Sequence, residues 1–556
     1  MNIESTSVCK EKADSVRLLS FDDIPNQSKL FLDYQYGRGT AQKYYPSGEK
    51  AIREVAADVL ANYKVDRNKL CDALRTDYED KPENQYVRVN IERLRNKNCV
   101  AVIAGQQAGL FSGPLFTIYK ALSAIKLARE LTEQGIEAVP MFWIASEDHD
   151  LAEANRVSFP NAVTEIETVS VDVTRAVENN AVGAVELGSG VDIAIDEYFE
   201  NIVSSEFSKE TREVLERFYN SGGTFSSSFA SYILHLFSKF GLILICPMGA
   251  TLRELVSPIF VEAIEKSCEI TEKLLARDAD LAENGYHSQV FVSDDFFPFF
   301  YFDEAGQRNA LRFDSKSKQI HSLHGHLAFS KEELIEIARK NPERLSPNVL
   351  MRSVVQDYLF PTVCYFGGSA EIAYFAQNEV IYRALDRPFT QFRHRASFTI
   401  VDPKSARNLR RYRLTLEDFF ASDEELSGEV IDKFIASDTA NTFNEVERTI
   451  SEELDTLEEK LIKSDKTLAN NLLNRKKKIL WHLQTLKTKF HRAEVFKNDT
   501  LRNRLHYTRT MLYPRSGLQE RTLNIVYFLN LYGENFIDWL YDATDSDAKD
   551  HQFFYL

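Results

Sequence analysis

Residues 99–157 constrain the fold more than any other part of the chain. CVAVIAG (99–105) is a short apolar, β-rich run, the pattern of a strand covered on both faces. A glycine-containing loop follows, QQAGLFSGP, and then LFTIYKALSAIKLARELTEQG, an amphipathic helix closed by Gly135. AVPMFWIA (138–145) is a second buried strand. Strand, helix and strand in this order predict a right-handed βαβ crossover and an α/β fold with a parallel sheet.

The 556 residues are too many for one ordinary core, so two or more domains, or one domain with large insertions, are expected. GLILIC (241–246) and TVCYFG (362–367) are further parallel-strand candidates. The less regular stretches between them read as insertions at about 158–235 and 280–345. In these, VTEIETVSVDV (163–173) alternates like an exposed strand, and QVFVSDDFFPFFYFDEAGQRNALRF (289–313) reads as a hairpin with acidic turns. From about residue 415 glycine almost disappears. Between 444 and 494, Ile450, Leu454, Leu457, Leu461, Leu468, Leu472, Ile479, Leu483, Leu486 and Phe490 recur at three- and four-residue steps. Ser464 and Lys476 occupy two core slots and a four-residue stutter falls at 468–472, which is a coiled-coil pattern. Its Glu-rich first half and Lys-rich second half suit antiparallel packing, with another helix of this chain or with a partner chain. The expected division is an α/β core with an N-terminal helical segment over 1–414, a helical coiled-coil dimerisation region over 415–510, and helices packing back on the core over 511–556.

The net charge of −16 argues against nucleic acid as the main partner, because phosphate recognition needs a positive footprint. The N-terminus MNIESTSVCKEKADS lacks an apolar signal core and no apolar run is long enough to span a bilayer, so no membrane association and a cytoplasmic location are expected. Six scattered cysteines, Cys9, Cys71, Cys99, Cys246, Cys268 and Cys364, form no CxxC pair and read as free buried thiols. His321, His324 and His326 (HSLHGH) have roughly metal-like spacing but no nearby acids, so no metal site is expected.

In an open α/β sheet, ligands bind outside the carboxyl ends of the strands, where helix N-termini present unpaired N–H groups. At the end of the first strand stand Gly105, Gln106 and Gln107, then Gly109, Ser112 and Gly113, with Pro114 at a helix start that Ser112 could cap. The second strand ends in Ser146-Glu147-Asp148-His149-Asp150. A capped helix start explains one or two of these acids, but not the imidazole between them. A similar arrangement recurs at 348–375. There Arg352, Gln356 and Asp357 share roughly one helical face, Tyr365 lies in a buried run, and Gly367 and Gly368 precede a helix carrying Glu371. A tight turn alone would account for those glycines. Arg393, His394 and Arg395 form a basic cluster that could meet a carboxylate, and Arg515, Gln519 and Arg521 could bind phosphate or hold the C-terminal helices together.

GQQAGLFSGPLFTIYKALSAIKLA, FWIASEDHDLAEANRV, QDYLFPTVCYFGGSAEIAYFAQ and GLQERTLNIVYFLNLYG together resemble the bacillithiol biosynthesis cysteine-adding enzyme, a cysteine ligase family, in the same order and along nearly the whole chain. The resemblance implies a Rossmann-like core with connecting-peptide insertions, related to class I nucleotidyl-transferring enzymes, and a helical coiled coil contributing to a homodimer. It implies a carbon–nitrogen ligase that adds cysteine to glucosaminyl-malate in the last step of the pathway. ADP has been associated with the family, so ATP or ADP is an implied co-substrate and no cofactor is fixed. Class I enzymes carry an HxGH-type turn and a KMSKS-type loop; this chain has GQQAG in the first place and no KMSKS. On this reading Glu147, Asp148, His149 and Asp150 are candidate catalytic residues. Gly105, Gln106, Gln107, Ser112, Gly113, Arg352, Gln356, Asp357, Tyr365, Gly367, Gly368, Glu371 and Arg395 are candidate substrate contacts, and Arg515, Gln519 and Arg521 candidate nucleotide contacts. The rival readings are a class I-like nucleotidyltransferase acting on another small acid and a non-catalytic coiled-coil scaffold.

Overall fold

A computed structural model of the chain describes residues 16–78, 84–173, 180–323, 327–435 and 437–556. Cys9, His324 and His326 lie outside these residues. The βαβ unit is present. β1 (Val100–Gln106) runs into α1 (Phe116–Glu133), which returns the chain to β2 (Ala138–Ile144). β1 and β2 pair in parallel from Val100↔Ala138 to Gln106↔Ile144. Every residue of β2 is buried, as the continuous apolar run requires. β3 (Ile243–Ile245) and β4 (Thr362–Gly367) are the other two expected parallel strands. The sheet has a fifth member, β5 (Gln391–His394), whose polar sequence QFRH concealed it. The spatial order is β5-β4-β1-β2-β3, all parallel. This is the doubly wound order, with its topological switch point between β1 and β4.

The insertions carry antiparallel strands, and helices over Gly190–Asn201, Ser208–Phe218, Phe225–Phe237 and Lys331–Lys340. Arg156–Pro160 pairs with Ile166–Ser170, and Phe296–Phe302 and Arg308–Asp314 form the expected hairpin inside a five-stranded sheet. α2 (Val349–Leu359) precedes β4, and α3 (Ser369–Ala384) follows it.

Gly105 is required by close packing between strands. A Cβ there would lie 2.8 Å from the Trp143 carbonyl oxygen and 3.1 Å from the Trp143 Cβ. Gly105→Ala is therefore expected to destabilise the chain by about 1–3 kcal/mol, read as a lowered urea midpoint with an unchanged m-value.

The chain forms two compact units. One comprises residues to Thr399 together with Glu520–Phe554, and the other Ile400–Gln519 with Tyr555–Leu556. The second unit contains the heptad region, folded on itself. α4 (Ser437–Ser464) and α5 (Lys466–Lys497) are separate helices joined at Asp465. The Asp465 carboxylate accepts hydrogen bonds from the Thr467 and Leu468 amides and so starts α5. The polar slot at Ser464 and the adjoining stutter mark this turn. The antiparallel register is set by Lys476 with Asp455 (2.5 Å), by Lys487 with Asn444 (3.0 Å), and by the Phe443 and Phe490 rings. Of the two pairings that the charge pattern allows, the described one lies within the chain.

The five described cysteines are free; Cys71, Cys99 and Cys364 are buried, whereas Cys268 stands exposed at the start of the helix Ser267–Glu283. Among the described residues no helix is long and apolar enough to cross a membrane, and no group of three or more His, Cys, Asp or Glu is arranged to hold a metal.

Candidate active site

A cavity of about 360 Å³ opens at the carboxyl ends of β1 and β4, the switch point of the sheet. Gly105, Gln106 and Gln107 line it from β1, Asp148 from the loop after β2, Arg352 from α2, and Gly368 and Glu371 from the start of α3. Arg395 and Arg521 complete the wall. Residues more than 400 positions apart in sequence thus meet at the place where the fold directs ligands.

At its floor is Lys120, which the sequence reading passed over. The side chain is only 4% exposed and projects from α1 toward the end of β1. Its ammonium donates to the Gly105 carbonyl (2.8 Å) and to Gln106 Oε1 (2.9 Å), and lies 2.5 Å from a carboxylate oxygen of Glu371. Burial lowers the lysine pKa, and Glu371 opposes that shift. For Glu371, burial pulls upward, but Lys120, the Gly368 amide and Arg352 prevail and hold it below the usual carboxylate range. Glu371 also accepts from the Tyr365 hydroxyl (2.9 Å) and from the Gly368 N–H (2.8 Å), so it caps α3. Tyr365 and Gly367 therefore act behind the wall. α1 is buried nearly all round, and a lysine within such a helix must find a counter-charge; that was the available signal for Lys120.

The four residues after β2 divide. Glu147 is buried against Arg253 in an ion pair. Asp150 caps the short helix Leu151–Ala154 by accepting from the Glu153 amide (3.0 Å). Asp148 accepts from the Gln107 side-chain amide and from the His149 backbone N–H. His149 is exposed, with Nδ1 3.3 Å from an Arg308 nitrogen. Asp148 and His149 border a second cavity, of about 340 Å³, walled by Phe297, Phe300, Arg308 and Arg312. Asp148 and Arg352 line both cavities, so the two adjoin. Glu153, in the first, has its carboxyl raised by burial and by Asp150 and Asp148.

Other candidates stand elsewhere. Gln356 is buried and Asp357 half-buried on α2, and they line neither cavity; Asp357 receives the Tyr382 hydroxyl (2.5 Å). Ser112 does not cap α1, which begins at Phe116. Its amide donates instead to Tyr219 Oη (2.9 Å), and the Asn524 side chain holds the carbonyls of Phe111 and Gly113. Gly113 serves this loop by packing against Gly109, where a Cβ would meet Gly113 Cα at 2.9 Å. The basic cluster is divided: Arg393 pairs with Asp547 (2.5 Å), outside the first cavity, His394 is buried against Phe21 and Phe31, and Arg395 reaches the cavity. Arg395 is already neutralised, 2.6 Å from Glu520. Of the C-terminal trio, Arg521 lines the cavity. Arg515 is exposed in the other unit, and there the Gln519 amide accepts from and donates to the Ile400 backbone.

Comparisons with known proteins agree with this architecture. The family model "Bacillithiol biosynthesis BshC, N-terminal Rossmann-like domain" matches residues 19–396, and "Bacillithiol biosynthesis BshC, C-terminal coiled-coil domain" matches residues 398–556. A Solibacter usitatus protein named "Putative cysteine ligase BshC" is 32% identical over 95% of this chain and 98% of its own length. Proteins of the same name from Koribacter versatilis and Geobacillus kaustophilus are 32% and 29% identical, covering 94% and 96% of this chain and 96% and 99% of their own lengths. With both domains matched in order and relatives aligned end to end, the chain belongs to the BshC family of bacillithiol biosynthesis.

Proposed function

We propose that this chain is a cysteine ligase that joins the carboxyl of cysteine to the amine of glucosaminyl-malate, the last step in making bacillithiol. The observation that carries this reading is the pair of adjoining cavities that share Asp148. Amide formation needs two substrates brought together, one at an anion-favouring strand end and one presenting an amine. The cysteine carboxyl, carrying a leaving group, occupies the first cavity, where the Arg521 guanidinium in its wall favours negative charge. The amine attacks, the C–N bond forms, the leaving group departs with its electron pair, and a proton leaves the nitrogen. Asp148, with His149 beside it, stands where it can take that proton. ATP or ADP is the co-substrate class that this reading admits for activation.

Asp148→Asn and His149→Ala are expected to remain folded, since both side chains are partly exposed and border a cavity. Asp148→Asn should lose about 100-fold or more in kcat with glucosaminyl-malate and cysteine. Wild-type rates in both variants would remove these residues from the mechanism. Release of pyrophosphate with other small acids, without thiol formation, would favour the nucleotidyltransferase reading.

The protein acts in the cytoplasm as a homodimer through the helical hairpin. Leu457, Leu468, Trp481 and Leu486 are exposed on α4 and α5, which supports a partner there.

A further inference from the structure

We infer that the second cavity is the acceptor chamber of the ligase proposed above, and that Arg308 and Arg352 hold the two carboxylates of the acceptor's malate arm. The inference rests on that reading and names the residues that select the acceptor.

Of the six cations that line the two cavities, Lys120 is neutralised by Glu371 and Arg395 by Glu520, whereas among the described residues no ion pair joins Arg308, Arg312, Arg352 or Arg521 to a carboxylate. Arg308 is the one its surroundings fix in place. Its Nε donates to Ser346 Oγ (3.1 Å), one terminal nitrogen donates to the Pro347 carbonyl (3.1 Å), the other faces His149 Nδ1 (3.3 Å), and the guanidinium lies 3.8 Å from the Phe300 ring centroid. These contacts fix the fork in place, yet among the described residues no carboxylate lies within ion-pair distance of it. Burial pulls its pKa down to about 10, against a weaker opposing attraction from Asp148. A guanidinium desolvated beside a cavity and left without a counter-ion is costly, and a bound carboxylate would relieve that cost. Arg352 is a second guanidinium at the cavity wall, drawn toward Glu371 but not paired with it. It meets the Tyr374 hydroxyl (3.3 Å) and the face of Tyr365, and among the described residues no carboxylate lies within ion-pair distance.

The shape fits the same ligand. The cavity holds about 340 Å³ and is walled by Phe297 and Phe300, on which the apolar face of a sugar ring can lie. Arg312, on the same face of its strand as Arg308, adds positive charge. Arg352 and Asp148 belong to both cavities, so an acceptor gripped at its acid end presents its amine toward Asp148 and the neighbouring chamber. Planar guanidiniums suit carboxylates because the two can share parallel hydrogen bonds.

The test compares two acceptors, glucosaminyl-malate and glucosaminyl-lactate, which differ by one carboxylate, on wild-type protein, Arg308→Gln and Arg308→Lys. Wild type should prefer the dicarboxylate by about tenfold or more in kcat/KM. Arg308→Gln should raise KM for glucosaminyl-malate roughly 10- to 100-fold, leave KM for cysteine unchanged, and nearly abolish the preference. Arg308→Lys, which keeps the charge but loses the fork, should fall between. Equal use of the two acceptors by wild type overturns the assignment without any variant, so a misfolded Arg308→Gln does not rescue it. A proportional loss on both acceptors in a folded variant also overturns it. Calorimetric titration with glucosaminyl-malate separates this from the ligase reading. Binding to wild type that Arg308→Gln weakens, with no thiol formed, would uphold the chamber and sink the ligase; no binding to wild type would sink the chamber.

Discussion

Lys120→Met is expected to cut ligase activity by about 100-fold, the order for misplacing groups that position a substrate, because Lys120 holds Gln106, Glu371 and the Gly105 carbonyl in place along the cavity. It should also destabilise the chain by roughly 3–5 kcal/mol, because Glu371 is left with an uncompensated buried charge. The two effects can be separated. In Lys120→Met/Glu371→Gln the orphaned carboxylate is gone, so most of the stability should return while activity does not. Urea unfolding and steady-state rates on the two variants test this. If the double variant recovers activity together with stability, Lys120 is only a structural cation. If Lys120→Met retains wild-type rates, the first cavity is not where the carboxyl reacts.

Glu520→Ala is expected to destabilise the first unit by about 3–5 kcal/mol. Glu520 is 1% exposed, pairs with Arg395, and accepts from Ser397 Oγ and from the Phe398 amide (3.1 Å). Burial raises its carboxyl pKa, but Arg395 and its hydrogen bond outweigh that and hold it at about 2. Because the folded-state pKa lies below the unfolded one, this stabilisation is complete above the unfolded value of about 4.5 and is lost as pH falls toward about 2. Thermal melts from pH 6 downward should show wild type losing its advantage over Glu520→Ala across that window. A constant gap would mean that the pair contributes through packing and not through charge.

The central sheet was legible because its strands are buried on both faces, and CVAVIAG, AVPMFWIA and TVCYFG leave little but apolar side chains to read. β5 was not, since QFRH carries its burial on residues that also serve as hydrogen-bonding groups. The location of the candidate site followed from strand ends alone, and the glutamines, Asp148, Arg352 and Glu371 do line it. Periodicity could not separate Arg352 from Gln356 and Asp357, because whether a polar residue on α2 faces a cavity or the core depends on what packs there. Lys120 and Arg308 were missed for opposite reasons. One sits inside an apolar helix, where charge looks accidental, and the other in an antiparallel insertion whose nearness to β2 no local pattern encodes. The helical hairpin was half legible: the heptads were visible, but the turn at Asp465 looked like an imperfection in a longer coil.

The Arg395–Glu520 pair joins residues 125 positions apart, with residues 400–519 of the second unit between them. At ribosomal speeds of about 5–20 residues per second, that separation corresponds to roughly 6–25 seconds of synthesis. Over that interval the Rossmann-like strands have emerged, while one wall of the cavity has no counter-charge and Arg521 is still absent. A nascent chain is therefore expected to stay inactive until residues 520 and 521 have been added, and prematurely terminated products that lack Glu520 should be inactive and short-lived.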